Sequence, residues 1–329
     1  MTAEAELTVG VEGLWRQWLD WAADHGVGVP AGEAFAGMRS RVWEASEFVA
    51  LTCARHPETL AGLLAAGDLE RSLEPGELDR DLAAAMTGIA AGEGAEDDAL
   101  KRILRLFRRR QMVRIVWRDI AGSAPLEETL EDLSELADVS IRRALELLEG
   151  WTRSELGTPR DRRGEGQQLL VLGMGKLGAR ELNLSSDIDI IFAYPSGGEV
   201  EGARYLSNEQ FFARLGRRLV QALDDRTVDG FVFRADTRLR PFGDAGPLAM
   251  SFAAMEDYYQ SQAREWERYA MIKARVVAGP EAAAEQLTAM LRPFTYRRYL
   301  DFGAIDSLRG MKQLISQELR RKGMADNIK

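Results

Sequence analysis

Residues 173–194 read GMGKLGARELNLSSDIDIIFAY, and the last eight of them, DIDIIFAY at 187–194, decide how this part of the chain is built. Side chains alternate across an extended strand, so Asp187 and Asp189 project from one face while Ile188 and Ile190 project from the other. Phe192 prolongs the apolar face. Two positions along a strand separate Cα atoms by roughly 6.5–7 Å, which lets both carboxylates ligate cations ~3.5–4 Å apart. A D-x-D pair on its own is common and is ordinarily a solvated surface feature. Here the reverse face is continuously apolar, so the two like charges need compensation, and a hard cation, Mg²⁺ or Mn²⁺, is the simplest one.

Just upstream, QQLLVLG (167–173) is a short apolar run of the kind that forms a buried strand, and it opens directly into the glycine-rich turn. GMGKLG matches the letters of a dinucleotide-binding fingerprint. That fingerprint also needs a long following helix and an acidic residue ~20 positions on, at the end of the next strand. Asn183, Ser185 and Ser186 interrupt any long helix, and residues 193–198 are AYPSGG. The G-x-x-x-x-G-K spacing of a Walker loop is absent as well. What fits is a turn whose glycines, Gly175 and Gly178, let backbone amides approach phosphate oxygens, with Lys176 and Ser186 beside them.

A third strand is expected in FVFRADTRLRP from Phe231. Alternation puts Val232, Arg234, Asp236, Arg238 and Arg240 on one face and Phe231, Phe233, Ala235, Thr237 and Leu239 on the other. Asp236 would be a third metal ligand, and the guanidiniums of Arg234, Arg238 and Arg240 forked donors for phosphate oxygens. A solvated charged face is the competing reading. Between these strands, SNEQFFARLGRRLVQALD (207–224) spaces Phe211, Leu215, Leu219 and Leu223 four apart, as a sheet-covering helix requires. Beyond Ser251 the chain reads as helices, with a break near Phe302-Gly303. In EWERYAMIKAR, Trp266 and Ala270 are expected in the core, with Glu267, Arg268 and Lys273 lining a cleft.

Residues 1–157 are rich in Ala, Leu, Glu and Arg at helical spacing, and turn signals, Gly92-Glu93-Gly94 among them, divide them into six expected helices. The polar stretch GTPRDRRGEG (157–166) reads as a domain boundary. The expected partition is 1–160, 161–280 and 281–329, in a mainly helical α+β chain. Trp15, Trp18 and Leu19 lie at helical spacing and read as packing residues, with Trp21 beside them. Residues 101–118 carry eight basic side chains, Lys101 and seven arginines, among Leu104, Phe107, Val113 and Trp117. Pairing with nearby acidic helices competes there with a docking face for an acidic partner.

The 329 residues carry 43 basic and 52 acidic side chains, a net charge of −9, which argues against nucleic acid as the partner. One cysteine, Cys53, excludes an internal disulfide and is expected to be a buried small hydrophobe. With two histidines, His25 and His56, zinc bound by imidazole and thiolate is excluded in favour of carboxylate ligands. No run reaches the ~18–20 apolar residues of a membrane span, and the first residues lack the order of a signal peptide, so the cytoplasm is the expected location.

The order of apolar strand, glycine-rich turn, D-x-D strand and later single-Asp strand resembles the DNA-polymerase-beta-like nucleotidyltransferase superfamily. More closely, GMGKLGARELNLSSDIDIIFAY, FVFRADTRLRPFGDAGPL and EWERYAMIKAR are similar to the glutamine synthetase adenylyltransferase and adenylyl-removing family. The helical stretches FRRRQMVRIVWRDIAG and LEETLEDLSELADVSI resemble it too. ELNLSSDID with this helical lead-in looks like the N-terminal, adenylyl-removing half. That resemblance implies a small mixed-sheet nucleotidyltransferase domain between an N-terminal helical domain and C-terminal helices. It implies Mg²⁺ or Mn²⁺ on Asp187, Asp189 and Asp236, and phosphorolysis of adenylylated glutamine synthetase to tyrosine and ADP. It further implies an adenine nucleotide and phosphate as ligands and a PII-type signal protein and glutamine as regulators. Forward adenylyl transfer from ATP and a non-catalytic binding module are the alternatives. Ala179 departs from the glycine or serine usual in the superfamily turn. Where family members continue, this chain stops at KGMADNIK, which reads as an N-terminal fragment.

Overall fold

The computed structural model describes residues 3–89, 96–202, 205–296, 309–310, 312–314, 316–317 and 320–321. The expected turn at Gly92-Glu93-Gly94 and the break near Phe302-Gly303 lie outside these residues. Among the described residues seven helices, not six, precede residue 157: α1 (Ala3–Asp24), α2 (Glu33–Ala45), α3 (Glu47–Arg55), α4 (Pro57–Ala66), α5 (Glu77–Met86), α6 (Glu96–Ala121) and α7 (Leu126–Leu156). Then come β1 (Thr158–Asp161), β2 (Leu170–Gly173), the short α8 (Gly175–Gly178), β3 (Ile188–Tyr194), β4 (Gly198–Glu201) and α9 (Asn208–Asp224). The chain continues through β5 (Ala235–Asp236), β6 (Ala249–Ser251), α10 (Phe252–Ser261), α11 (Glu265–Ile272), β7 (Arg275–Ala278) and α12 (Glu281–Thr295). The architecture is α+β, mainly helical with one small mixed sheet. No described helix is long and apolar enough to cross a membrane.

Two compact units share the chain in alternating stretches. One comprises residues 1–151, 180–188 and 217–235; the other 152–179, 189–216 and 236–329.

In the first unit, short helices start and stop where the sequence dictates. Ser46 caps α3 through its hydroxyl on the Val49 amide at 3.3 Å, Pro57 opens α4, and Gly67 closes it in the left-handed region at φ 69°. Their apolar faces meet around Trp18, Trp43 and Trp117, with Cys53 buried among them. The Trp15 and Trp18 rings stack at 4.9 Å, and Trp18 donates its indole N–H to the Pro57 carbonyl at 3.1 Å.

The basic run of 101–118 lies on α6 and is largely a structural device. Arg105, Arg114 and Arg118 are buried. Arg105 donates to the carbonyls of Lys101, Ala222, Asp225 and Gly230. Arg114 pairs with Asp132 at 2.8 Å and Arg118 with Glu128 at 2.7 Å. Lys101, Arg109 and Arg110 are tied to Asp225, Asp229 and Asp68. Of the two readings of this run, pairing within the fold holds for these six: the buried guanidiniums of Arg105, Arg114 and Arg118 are tolerable only with partners, and Lys101, Arg109 and Arg110 are ion-paired within the chain.

In the second unit the sheet runs β5-β3-β2-β7, and β6 also pairs with β3. β2 pairs antiparallel with β3 and β7, and β6 runs parallel to β3. Ile191 and Ala193 of β3 pack with Met255, Tyr259 and Leu287 from α10 and α12. On the other side Phe192 meets α9, where a Cβ on Gly216 would come within 3.0 Å of the ring. Gly216 therefore permits the close approach of helix to strand. Both faces of β3 are covered, and the spaced quartet Phe211, Leu215, Leu219 and Leu223 is wholly buried, as expected of a sheet-covering helix.

Within the polar stretch 157–166, Thr158–Asp161 form β1, which pairs with β4; a solvated two-stranded ribbon carries no apolar alternation to announce it. Two expectations need correction. The strand expected across FVFRADTRLRP shrinks to Ala235–Asp236. The Asp236 carboxylate accepts the Arg238 amide at 2.8 Å, and such an Asx turn takes the backbone out of the ladder. On α11 Trp266, expected in the core, is 41% exposed, whereas Ala270 packs against the core as expected and Glu267 is buried. Glu267 accepts the Tyr258 hydroxyl at 2.6 Å and the Arg264 amide at 2.8 Å, so its charge caps the helix from inside.

Arg105→Ala is expected to lower the unfolding free energy by about 2–4 kcal/mol, since it strips several buried carbonyls of their donor. Arg102→Ala, at an exposed position of the same helix, is expected to change it by less than ~0.5 kcal/mol. The urea midpoint of each variant checks both values. Burial holds the Cys53 thiol protonated well above its ordinary range, so a disulfide reagent is expected to modify it only on unfolding.

Candidate active site

The segment leading to Asp187 is fastened on both sides. Arg180, in the left-handed region at φ 57°, is held by Glu131, by Glu135 at 2.8 Å and by Asp138 at 3.0 Å on α7. The Leu182 amide donates to the Ser134 hydroxyl at 3.3 Å. A turn follows, in which the Ser186 amide bonds the Asn183 carbonyl at 3.1 Å and the Ser186 hydroxyl bonds the Asn183 side chain. Asp187 comes next, exposed at the mouth of β3. The Ile188 amide donates to the Arg234 carbonyl at 2.9 Å, which lays the two chain segments side by side. Arg234 then closes on Asp187 with its Nε and reaches the Ser185 carbonyl with Nη2 at 2.9 Å.

Burial along the strand alternates as expected at its start: Asp187 is exposed, Ile188 buried, Asp189 half-buried and Ile190 buried. In the second unit the Asp189 carbonyl accepts the Met174 amide at 2.8 Å, so strand and glycine turn are joined at the root. Gly175 sits at φ 53°, and a Cβ there would stand 3.1 Å from Asp189 Oδ2. The turn is thus shaped against the carboxylate. Lys176 is exposed beside it. Gly178 has a different reason to be glycine. It is buried, its amide is spent on the Met174 carbonyl at 3.0 Å, and a Cβ would fall 1.9 Å from the Lys273 carbonyl oxygen.

Asp236 lies on β5, the neighbour of β3 in the sheet. Arg238 grips its carboxylate through Nε at 2.9 and 3.0 Å and Nη2 at 2.5 Å. That guanidinium, more than any other group, holds the Asp236 carboxyl below its ordinary range. Arg240 is engaged differently: its side chain is only 10% exposed, it donates to the Thr237 carbonyl at 2.9 Å and hydroxyl at 3.0 Å, and its nearest carboxylate is Asp244 at 3.6 Å. Arg238 and Arg240, with Phe242, Tyr258, Trp266 and Glu267, also line a cavity of about 330 Å³. Its far wall comes from α10 and α11, and Glu267 is there as expected of a cleft-lining residue.

A hard divalent cation fits this donor set by its chemistry: three aspartates, all oxygen donors, none of them deep in the core. Among the described residues no group of three or more carboxylates, imidazoles or thiolates is already gathered to hold an ion. Asp187 and Asp236 are instead closed on guanidiniums, which neutralise them in the same way.

The glutamate–ammonia ligase adenylyltransferase family matches residues 38–290 of the chain. Among similar proteins, one from Nitrosococcus oceani is 58% identical over 290 residues, and one from Pseudomonas putida 59% identical over 291. One from Pseudomonas aeruginosa is 59% identical over 291. Each is named a bifunctional glutamine synthetase adenylyltransferase/adenylyl-removing enzyme, and each alignment covers 88% of this chain. The chain corresponds to 29% of the length of each of these relatives.

The two glycines are expected to separate on substitution. Gly178→Ala should cost several kcal/mol, about 3 or more, because backbone must move to admit the methyl group. Gly175→Ala should cost about 1–2 kcal/mol of backbone strain. Thermal melting read by circular dichroism gives the comparison, and equal losses would contradict the packing role of Gly178.

Proposed function

The chain belongs to the glutamate–ammonia ligase adenylyltransferase family, and from that premise we propose that it performs the adenylyl-removing reaction on glutamine synthetase. An oxygen of inorganic phosphate attacks the adenylyl phosphorus, the bond to the tyrosine oxygen breaks, the phenolate leaves and takes up a proton, and ADP forms. The observation that carries the reading is the start of β3: a carboxylate pair two residues apart, with Gly175 shaped against Asp189 and Asp236 on the adjoining strand. The wording ELNLSSDID with its helical lead-in supports the adenylyl-removing half over the adenylylating one.

Asp187, Asp189 and Asp236 would hold Mg²⁺ or Mn²⁺, which supplies charge neutralisation for a phosphoryl centre attacked by an anion. The chain's own task is positioning. Lys176 and the amide of Gly175 would serve beside Asp189, and Ser186 beside Asp187, as donors for phosphate oxygens, and the guanidiniums of Arg234 and Arg238 would be free for the same use once their carboxylates held a cation. Arg240, fixed on backbone carbonyls, offers a more rigid positive charge. No strong base is needed, because the nucleophile is already an anion.

Incubation with adenylylated glutamine synthetase, Mg²⁺ and phosphate is expected to release ADP. Consumption of ATP without ADP release from the adenylylated protein would favour forward transfer instead. Asp187→Asn with Asp189→Asn is expected to reduce turnover by ~10³-fold or more, and removal of divalent cations by a chelator to abolish it. Unchanged turnover in the double variant would leave a binding module as the better account.

A further inference from the structure

Most of the basic run on α6 is fastened to carboxylates and carbonyls, and Arg102 is exposed to water. Arg108 is neither. It is half-buried, its guanidinium lies 5.0 Å from the centre of the Phe231 ring and 5.9 Å from that of Phe233, and its Nε is shut off from water without an acceptor. Among the described residues no carboxylate or carbonyl pairs with it.

Ring faces compensate a cation only in part, and a desolvated charge without a counter-charge is unfavourable. The neighbourhood deepens the imbalance. Arg226 lies 5.8 Å from the same Phe231 ring, and Arg234 is three residues further along the segment. Burial first, and Arg234 second, push the Arg108 guanidinium down to about 10. Among the described residues no carboxylate offsets this at Arg108; the acidic groups around Arg234 are Asp187, which is committed to Arg234, and Asp224, whose own carboxyl is raised by burial and by Asp225 and Asp187. A positive excess held rigidly between two rings, with its fork of terminal nitrogens not enclosed, is the arrangement that receives an oxyanion.

We propose that Arg108 is a phosphate-binding residue, which takes non-bridging phosphate oxygens beside Asp187 together with Arg234. This rests on the deadenylylation reading for the identity of the phosphate and deepens it. Two phosphates share that chemistry: the incoming inorganic phosphate and the adenylyl phosphodiester. Arg108 is placed by Phe231 and Phe233 from a helix, whereas Arg234 is held by the carboxylate it must release. The two would therefore act in sequence, Arg108 as the standing site and Arg234 as the one recruited when Asp187 takes a cation.

The test compares wild type, Arg108→Gln and Arg108→Lys in the full 329-residue chain, titrating inorganic phosphate and AMP separately by calorimetry with Mg²⁺ present and no protein substrate. Loss of a charge-assisted contact is expected to weaken one of these ligands by ~10- to 100-fold in Arg108→Gln. Arg108→Lys, which keeps the charge but not the fork, should fall between. Weakened phosphate assigns Arg108 to the nucleophile; weakened AMP assigns it to the adenylyl group. Wild type binding neither ligand, or both variants binding both ligands within twofold of wild type, overturns the proposal. Arg108→Gln is at a half-buried position, so its melting temperature is recorded alongside, and Arg108→Lys carries the comparison if that variant unfolds. Anion binding lost with Arg108 in a chain that releases no ADP would uphold this site while removing the reaction assigned to it.

Discussion

Carboxylates at the mouth of a buried strand must be neutralised, and in this structure guanidiniums do it. Arg234 closes on Asp187 and Arg238 on Asp236. Arg234 and Asp187 are each about half exposed, and Arg238 is 72% exposed over a carboxylate that is 19% exposed, so each pair contributes little to stability. That weakness is the useful property. The pairs keep the carboxylates oriented, and under the proposed reaction a divalent cation would displace them at small cost and free a forked donor for phosphate.

What holds these groups in place is far less exchangeable. β3 is covered on both faces, by α9 through the close approach at Gly216 and by α10 and α12 through the cluster around Met255 and Leu287. Gly178 admits the Lys273 carbonyl, and the buried Glu267 fixes Tyr258 to the start of α11.

The arginines of α6 illustrate how a single residue type serves opposite ends. Arg105 satisfies carbonyls at the end of α9 and in the loop that follows, where the chain turns toward β5. One turn further on, Arg108 meets two phenyl rings and no acceptor. The difference is set by what the segment 222–233 presents: carbonyls at helix and turn ends, then aromatic side chains.

Sequence alone determined that DIDIIFAY carries a strand, that 208–224 is a helix with one buried stripe, and that the first half is helical, because the spacing of apolar side chains depends only on local periodicity. It also carried the family, through long motifs that survive without coordinates. Tertiary structure decided what periodicity cannot encode. An Asx turn at Asp236 cut the third strand to two residues, Trp266 of α11 was left exposed while the capping carboxylate of Glu267 was buried, and the compact units were assembled from alternating stretches of chain. Which guanidinium closes on which carboxylate, and which is left facing only rings, is likewise fixed by distance across the fold: charge pairing is a property of neighbours in space, and the sequence orders neighbours only along the chain.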